Sequence, residues 1–107
     1  MYDIAIIGGG PAGLAAGLYG ARGGMDTVLL ENMLVGGQIT KTTQVDNYPG
    51  FPDGIDGFAI GTNMQKQAER FGLEIKRTGV DSVELEGEIK RLHCGREVIE
   101  AKAVIIA

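Results

Sequence analysis

With 107 residues the chain is one domain at most, and its single cysteine, Cys94, excludes an internal disulfide, a Cys-x-x-Cys pair and a Cys/His zinc site. The net charge of -4 and the absence of any lysine or arginine run argue against a nucleic-acid partner, because neutralising phosphates requires clustered positive charge. No apolar stretch has the length of a membrane span, and the N-terminus lacks the basic region of a signal peptide, so we expect a cytoplasmic protein without a membrane partner.

The first part of the chain predicts a βαβ unit. Residues 4–7 form an uninterrupted apolar run that ends in glycines, which is typical of a parallel strand buried on both faces. Pro11 suits the first position of a helix, and helical spacing continues to Arg22, where Gly23 and Gly24 end the helix. Residues 27–31 predict a second buried strand.

Residues 32–57 show no periodicity, and we predict a long structureless loop that covers a ligand. Residues 58–71 predict an amphipathic helix, with its core face at three- and four-residue steps: Phe58, Ile60 or Gly61, Met64, Ala68 and Phe71. Gly72 then ends this helix.

The remaining residues predict β-structure. In residues 73–76 apolar and polar residues alternate, which predicts a strand. Short antiparallel hairpins suit the alternating runs 80–85, 89–94 and 97–101. Residues 103–107 have the apolar character of a buried central strand. Adjacent residues of a strand face opposite sides, so we place Cys94 in the core and His93 on the surface. The predicted fold is α/β and Rossmann-like: a parallel sheet with an antiparallel β-meander inserted before its last strand.

The sequence Gly8-x-Gly10-x-x-Gly13 indicates a dinucleotide-binding loop between the first strand and its helix. Gly8 makes the tight turn, Gly10 lets a pyrophosphate approach the backbone, and Gly13 lets the helix pack closely on the strand. Glu31 follows the second strand, where its carboxylate accepts hydrogen bonds from ribose hydroxyls and repels a 2′-phosphate, which disfavours NADP. FAD and NAD remain as candidate cofactors of this loop. Two alternatives also remain, namely that the glycines form only a structural turn and that Glu31 is a solvated acid at the end of a strand.

Three segments resemble the N-terminal part of the low-molecular-weight thioredoxin reductases, and the resemblance spans essentially the whole chain: YDIAIIGGGPAG at 2–13, GGQI at 36–39 and VDNYPG at 45–50. The resemblance implies FAD at the glycine-rich loop, held by Gly8, Gly10, Pro11, Ala12 and Gly13 with Glu31 on its adenosine ribose. It further implies that Gly36, Gly37 and Gln38 run beside the flavin, that Asn47 lies close to the isoalloxazine and that the backbone of Val80 contacts adenine. Taken alone, Gly36-Gly37 is equally typical of a loop turn, and Asn47 of a residue that caps a turn.

In that family the FAD domain is split in two by an inserted NADPH domain, which carries the redox-active Cys-x-x-Cys. Residues 1–107 resemble the first FAD segment, with no second domain, so we expect an incomplete sheet with an open apolar edge. The resemblance implies a flavin-dependent disulfide oxidoreductase in which hydride passes from NADPH to FAD and then to a disulfide outside this chain. It also implies thioredoxin or a similar small disulfide protein as partner, and a homodimer.

No residue here is expected to do proton or thiol chemistry, so we expect these 107 residues alone to be inactive. Two alternatives remain for the function. One is the FAD half of a ferredoxin-NADP reductase-like flavoenzyme, and the other is a non-catalytic dinucleotide-binding module.

Overall fold

A computed structural model describes every residue from Met1 to Ala107. In chain order the elements are β1 (Tyr2–Ile7), α1 (Pro11–Arg22), β2 (Thr27–Leu30), a 3₁₀ helix (Gly37–Lys41), α2 (Gly57–Arg70), β3 (Glu74–Lys76), β4 (Ser82–Glu84), β5 (Lys90–Cys94) and β6 (Glu97–Ile106). They build one six-stranded sheet in the order β3-β2-β1-β6-β5-β4. The first three strands are parallel, and β4, β5 and the first half of β6 form an antiparallel meander. The predicted α/β architecture is confirmed.

The βαβ unit forms as the sequence predicts, and two glycines of α1 explain how closely this helix lies on the sheet. A Cβ atom at Gly17 would lie 2.7 Å from Cδ2 of Leu73, and one at Gly20 would lie 2.9 Å from Oγ1 of Thr27. Glycine inside a helix costs about 1 kcal/mol relative to alanine. The close approach of Leu73, which precedes β3, accounts for Gly17, and that of Thr27 in β2 accounts for Gly20.

Two apolar cores lie on opposite faces of the sheet, because neighbouring strand residues alternate in direction. Between the sheet and the helices lie Ile6, Leu14, Leu29, Val35, Ala68 and Leu73. On the other face β1 and β2 join the meander through Ala5, Val28, Leu30, Leu92, Cys94, Ile99 and Ala101. Cys94 is therefore in the core, as predicted. Neither helix is both long and apolar enough to cross a membrane.

The helix α2 forms as predicted, but its buried face differs at both ends from the predicted one. Met64 and Ala68 pack on the core, whereas Phe58 is 57% and Phe71 37% exposed. At the N-terminus the buried position is Gly57, where a Cβ atom would overlap a carbonyl oxygen of the 3₁₀ helix. The predicted burial of Phe58 and Phe71 is wrong. Gly57 takes the buried position at the start of α2, and Phe71 lies one residue beyond its end, with the guanidinium of Arg70 over its ring.

The predicted structureless loop over residues 32–57 is also wrong. It contains the 3₁₀ helix and an antiparallel bridge between Val45 and Ile55. Their backbone hydrogen bonds order the segment without any regular spacing of apolar side chains, so nothing in the sequence pattern revealed them.

The two strands predicted at 97–101 and 103–107 are one continuous strand, β6. Its first half pairs with β5 as far as Ala101, and from Ala101 to Ile106 it pairs with β1 on the other side. Beyond Ala101 no strand lies on the β5 side, which gives the expected open apolar edge. The predicted burial of residues 103–107 is wrong in this chain, because Ile106 is 72% exposed.

Candidate dinucleotide-binding site

The loop between β1 and α1 has the backbone that its three motif glycines require. Gly8 has a φ of +111°, a backbone conformation that residues with a side chain rarely adopt. A Cβ atom at Gly13 would overlap the carbonyl oxygen of Gly8. At Gly10 the backbone is extended, and the nearest atom to a Cβ placed there is Cα of Gly37 at 3.9 Å. Gly8 and Gly13 are therefore needed by the fold, whereas the absence of a side chain at Gly10 leaves open space.

Three backbone N–H groups of this loop have no acceptor in the chain, namely those of Gly10, Ala12 and Gly13. The first helical hydrogen bond runs from Leu14 to the carbonyl of Gly10, and Pro11 has no N–H. No side chain caps α1, and its first turn holds no acidic residue. Free N–H groups and the positive end of a helix dipole together suit an anion.

Glu31 lies immediately after β2 and connects two parts of the site. Its Oε1 accepts a hydrogen bond from the N–H of Gly9 at 2.8 Å, and its Oε2 accepts one from Met33 at 2.8 Å. A carboxylate oxygen accepts two hydrogen bonds, so each retains capacity for a ribose hydroxyl. The sequence motif did not identify Gly9 and Met33, because both contribute backbone groups that any residue type supplies.

The Gly36-Gly37 segment packs against the dinucleotide loop. Both residues have positive φ, +106° and +70°, and the N–H of Gly36 donates to the carbonyl of Gly9 at 2.7 Å. A Cβ atom at Gly37 would lie 2.8 Å from Cα of Gly10. The turn geometry and the close approach both require glycine, and the pair lies against the loop that the motif identifies.

A cleft of about 320 Å³ opens beside these loops and is lined by Glu31, Met33, Leu34, Gly37, Gln38 and Lys41. Gln38 and Lys41 belong to the 3₁₀ helix. The cleft thus brings the acid at the end of β2, the glycine pair and one cation together. Lys41 belongs to no motif, and the sequence offered no signal for it.

Val80 lies between β3 and β4, and its backbone polar groups are free. Its side chain packs on the core beneath the meander, and its N–H and C=O make no hydrogen bond within the chain. The preceding residue, Gly79, lies against Asn32, since a Cβ atom there would be 3.2 Å from Cγ of the asparagine. The free donor and acceptor of Val80 are therefore one residue away from Gly79, which lies against Asn32, the residue that follows Glu31.

Asn47 lies apart from the other predicted site residues. It is exposed and lines an open pocket of about 420 Å³ formed only by residues 46–52. In the same loop the rings of Tyr48 and Phe51 are 6.4 Å apart and line an apolar cavity with Leu14 of α1 and Met64 of α2. The loop is thus seated on the helices, and Asn47 does not line the Glu31 cleft.

Cys94 and His93 lie in the meander, away from the glycine-rich loop. Burial raises the pKa of the Cys94 thiol, and the carboxylates of Glu97 and Asp81 raise that pKa further, so the thiol stays protonated. The ring of His93 points instead to Glu84, with Nε2 2.5 Å from Oε2. The two side chains face opposite sides of β5 and form no nucleophile-base pair.

The residues fit a dinucleotide on three grounds. The free N–H groups at α1 suit a diphosphate, Gly10 leaves room for it, and Glu31 keeps acceptor capacity for a ribose.

Comparison with known proteins gives a consistent result. A family model described as pyridine nucleotide-disulphide oxidoreductase matches residues 2–107. The chain is 50% identical over 107 residues to a thioredoxin reductase of Peptoclostridium litorale, covering 100% of this chain and 34% of that protein. It therefore spans about a third of the length of the curated relatives it matches.

Solved structures agree with the fold. The thioredoxin reductase of Lactococcus lactis superposes with a TM-score of 0.94 at 37% identity, covering 99% of this chain and 35% of that one. A ferredoxin-flavin thioredoxin reductase of Clostridium acetobutylicum superposes with a TM-score of 0.88 at 30% identity, covering 98% and 36% of the two chains.

Proposed function

Because this chain belongs to the pyridine nucleotide-disulphide oxidoreductase family, we propose that it is the N-terminal FAD-binding segment of a thioredoxin reductase-like flavoprotein. The observation that carries the proposal is the loop before α1, where three N–H groups without acceptors surround the open space at Gly10. An anion of the size of a diphosphate satisfies these groups without any basic side chain. The resemblance to flavin-named relatives selects FAD over NAD.

The adenosine half of the cofactor is held by three kinds of contact. The N–H groups of Gly10, Ala12 and Gly13 bind the diphosphate, with Gly8 and Pro11 fixing the turn and the start of the helix. Glu31 binds the ribose hydroxyls. The free backbone donor and acceptor of Val80 suit the edge of adenine, which presents one acceptor and one donor.

The flavin half is held by the segment after β2 and the loop that carries Asn47. Gly36, Gly37 and Gln38 pass beside the flavin, and Asn47 provides an amide near the isoalloxazine. The packing of Gly37 on Gly10 and the position of Gln38 in the same cleft support the placement of the first segment, and the resemblance to the thioredoxin reductases supports that of Asn47.

Bound FAD supplies two-electron transfer, while the protein supplies binding and orientation. The residues of this chain bind and orient, and none acts as acid, base or nucleophile. In the whole protein, electrons pass from NADPH, bound in another domain, to a disulfide outside this chain and then to thioredoxin, with two subunits forming a homodimer. The names of the relatives support the thioredoxin part of this assignment, because they are thioredoxin reductases and one is a bifunctional thioredoxin reductase/thioredoxin.

A second candidate concerns the electron donor. One of the superposed structures is a ferredoxin-flavin thioredoxin reductase, so ferredoxin is the alternative donor to the same FAD site. The contacts with the adenosine half are the same in both cases.

Equilibrium binding tests the proposed cofactor. The purified protein is titrated with FAD while flavin fluorescence is followed, and ADP, FMN and NADP⁺ are added as competitors. We expect saturable FAD binding that ADP displaces, because ADP carries every group that the loop and Glu31 contact. FMN lacks the adenosine and is expected to compete at least tenfold more weakly, and NADP⁺ likewise because its 2′-phosphate meets Glu31. Absence of FAD binding, or equal competition by FMN, contradicts the proposal.

A further inference from the structure

The loop that carries Asn47 is closed at its base by hydrogen bonds. We define the Asn47 loop as residues 46–54. Immediately outside it, the N–H of Val45 donates to the carbonyl of Ile55 at 2.7 Å, and the N–H of Ile55 donates back at 3.0 Å. Val45 is buried, so one side of this bridge is anchored in the protein. The two ends of the loop are therefore held in register.

Gln44 adds a side-chain connection across the same base. Its Nε2 donates to Oδ1 of Asp46 at 3.0 Å and to the carbonyl oxygen of Asp53 at 3.2 Å. Both amide hydrogens are thus used, one at each end of the Asn47 loop. An amide nitrogen is required here, because both partners only accept hydrogen bonds.

Gly54 shows that the backbone is shaped around this amide. It has φ +81°, and a Cβ atom there would overlap Nε2 of Gln44 and lie 2.6 Å from Oδ1 of Asp46. The space beside Gly54 is thus filled by the Gln44 amide and its acceptor. Any side chain at this position displaces the amide.

The far part of the Asn47 loop is fixed independently. Tyr48 and Phe51 line the apolar cavity with α1 and α2, which seats the tip of the loop on the two helices. Asn47 lies between this seated tip and Asp46, the residue that Gln44 holds. Its placement is therefore set from both sides.

We infer that Gln44 is a positioning residue for the cofactor, which sets the place of Asn47 by holding Asp46 and Asp53. This inference rests on the proposed binding of FAD. Gln44 is exposed and contributes little apolar burial, so its role lies in orientation rather than in stability. Its amide acts on the flavin through Asn47 and touches no reacting atom.

The substitution Gln44→Glu tests this role, because it preserves the shape of the side chain and removes both donors. Gln65→Glu is the matched control, since Gln65 is a half-buried glutamine of α2 whose side chain makes no hydrogen bond and does not line the cavity of Tyr48 and Phe51. The double variant Gln44→Glu/Asp46→Asn reverses the polarity of one contact, so that the new asparagine donates to the new carboxylate. This variant restores one of the two hydrogen bonds.

Two measurements are made on each variant. Hydrogen exchange at the amides of Val45 and Ile55 is measured without FAD, and the visible absorption spectrum and Kd of FAD are measured after loading. We expect Gln44→Glu to raise amide exchange about tenfold, since a hydrogen bond contributes about 0.5–1.5 kcal/mol. We also expect a shifted flavin band and a Kd raised about threefold. The double variant recovers part of each change, and Gln65→Glu changes none.

The outcomes separate this inference from the proposed function. Normal FAD binding and an unshifted flavin band in Gln44→Glu overturn the role of Gln44, even if amide exchange rises. No recovery in the double variant overturns it as well. Failure of the unsubstituted protein to bind FAD overturns the proposed function and this inference together.

Discussion

Gly10→Ala separates the stability of the fold from the binding of the cofactor. The backbone of Gly10 has φ −78° and ψ −171°, which alanine adopts freely, and a Cβ atom there has no neighbour closer than Cα of Gly37 at 3.9 Å. The new methyl group therefore fits the protein itself. It occupies the space in which the loop is expected to receive a diphosphate.

The effect on stability follows from two opposing contributions. Replacing glycine by alanine at a compatible backbone reduces the entropy of the unfolded chain and stabilises by about 0.4–1 kcal/mol. Gly10 is also the N-cap of α1, where alanine is less favourable than glycine by about 0.5–1 kcal/mol. The two contributions cancel, so we expect the free energy of unfolding to change by less than about 1 kcal/mol.

The same methyl group is expected to weaken FAD binding, and no opposing contribution offsets this loss of affinity. A methyl group forced into a packed contact costs about 1–3 kcal/mol, which corresponds to a roughly 5- to 150-fold rise in the Kd for FAD. Unfolding is measured by urea denaturation without FAD, because bound ligand adds its own stability. The Kd is measured by fluorescence titration.

Gly13→Ala is the matched control in the same motif. A Cβ atom at Gly13 overlaps the carbonyl oxygen of Gly8, and both atoms belong to rigid backbone, so we expect a loss of at least about 2 kcal/mol of stability. The reasoning is refuted if Gly10→Ala binds FAD as the unsubstituted protein does, or if it destabilises the chain as much as Gly13→Ala.

Three further predictions concern single side chains. Glu31→Gln replaces one carboxylate acceptor by an amide donor, which then faces a backbone N–H. Urea denaturation should therefore show a loss of about 1 kcal/mol of stability, and FAD titration should show a higher Kd. An unchanged stability and an unchanged Kd would contradict the contact with Gly9. Burial raises the pKa of Cys94, so the native thiol should react with a disulfide reagent at pH 8 at least tenfold more slowly than in urea, and equal rates would disprove its burial. The N–H of Asp26 donates to the Asp3 carboxylate and lowers its pKa below the usual value of 3.8. Asp3 therefore stabilises the fold above pH 3.8, and this contribution is lost as the pH falls through the folded pKa. In urea denaturation, the stability advantage over Asp3→Asn should vanish in acid.

The βαβ unit could be predicted because its signals are local and strong. Apolar runs, Pro11 and the glycine pair after α1 each act within a few residues, and the structure has these elements almost at the predicted bounds. The same reasoning misplaced the face of α2, since the contact of Gly57 with a carbonyl oxygen has no apolar signature. It also divided β6, because the change of partner at Ala101 depends on where β5 and β1 begin, at Lys90 and Tyr2.

The site was predictable to the extent that it depends on residue type. Glycines with positive φ and the acid after β2 can be read from the sequence. The contacts of the Glu31 carboxylate with backbone N–H groups could not, because any residue supplies an N–H. The position of Lys41 in the cleft depends on a short 3₁₀ helix that leaves no periodic trace.

The way an acidic chain binds an anionic cofactor leads to a final prediction. The net charge is −4, and Lys41 is the one basic side chain that lines the cleft, so overall charge opposes the binding of a diphosphate. The free N–H groups of Gly10, Ala12 and Gly13 act instead at contact distance, well inside the Debye length of about 10 Å at 0.1 M salt. Salt therefore screens the repulsion from the rest of the chain more than it screens the attraction at the loop. Between 50 and 500 mM NaCl we expect the Kd for FAD to stay within about threefold or to fall, and Lys41→Gln to raise it less than Gly10→Ala does. A Kd that rises steeply with salt would show that a basic side chain, rather than the helix N-terminus, holds the diphosphate.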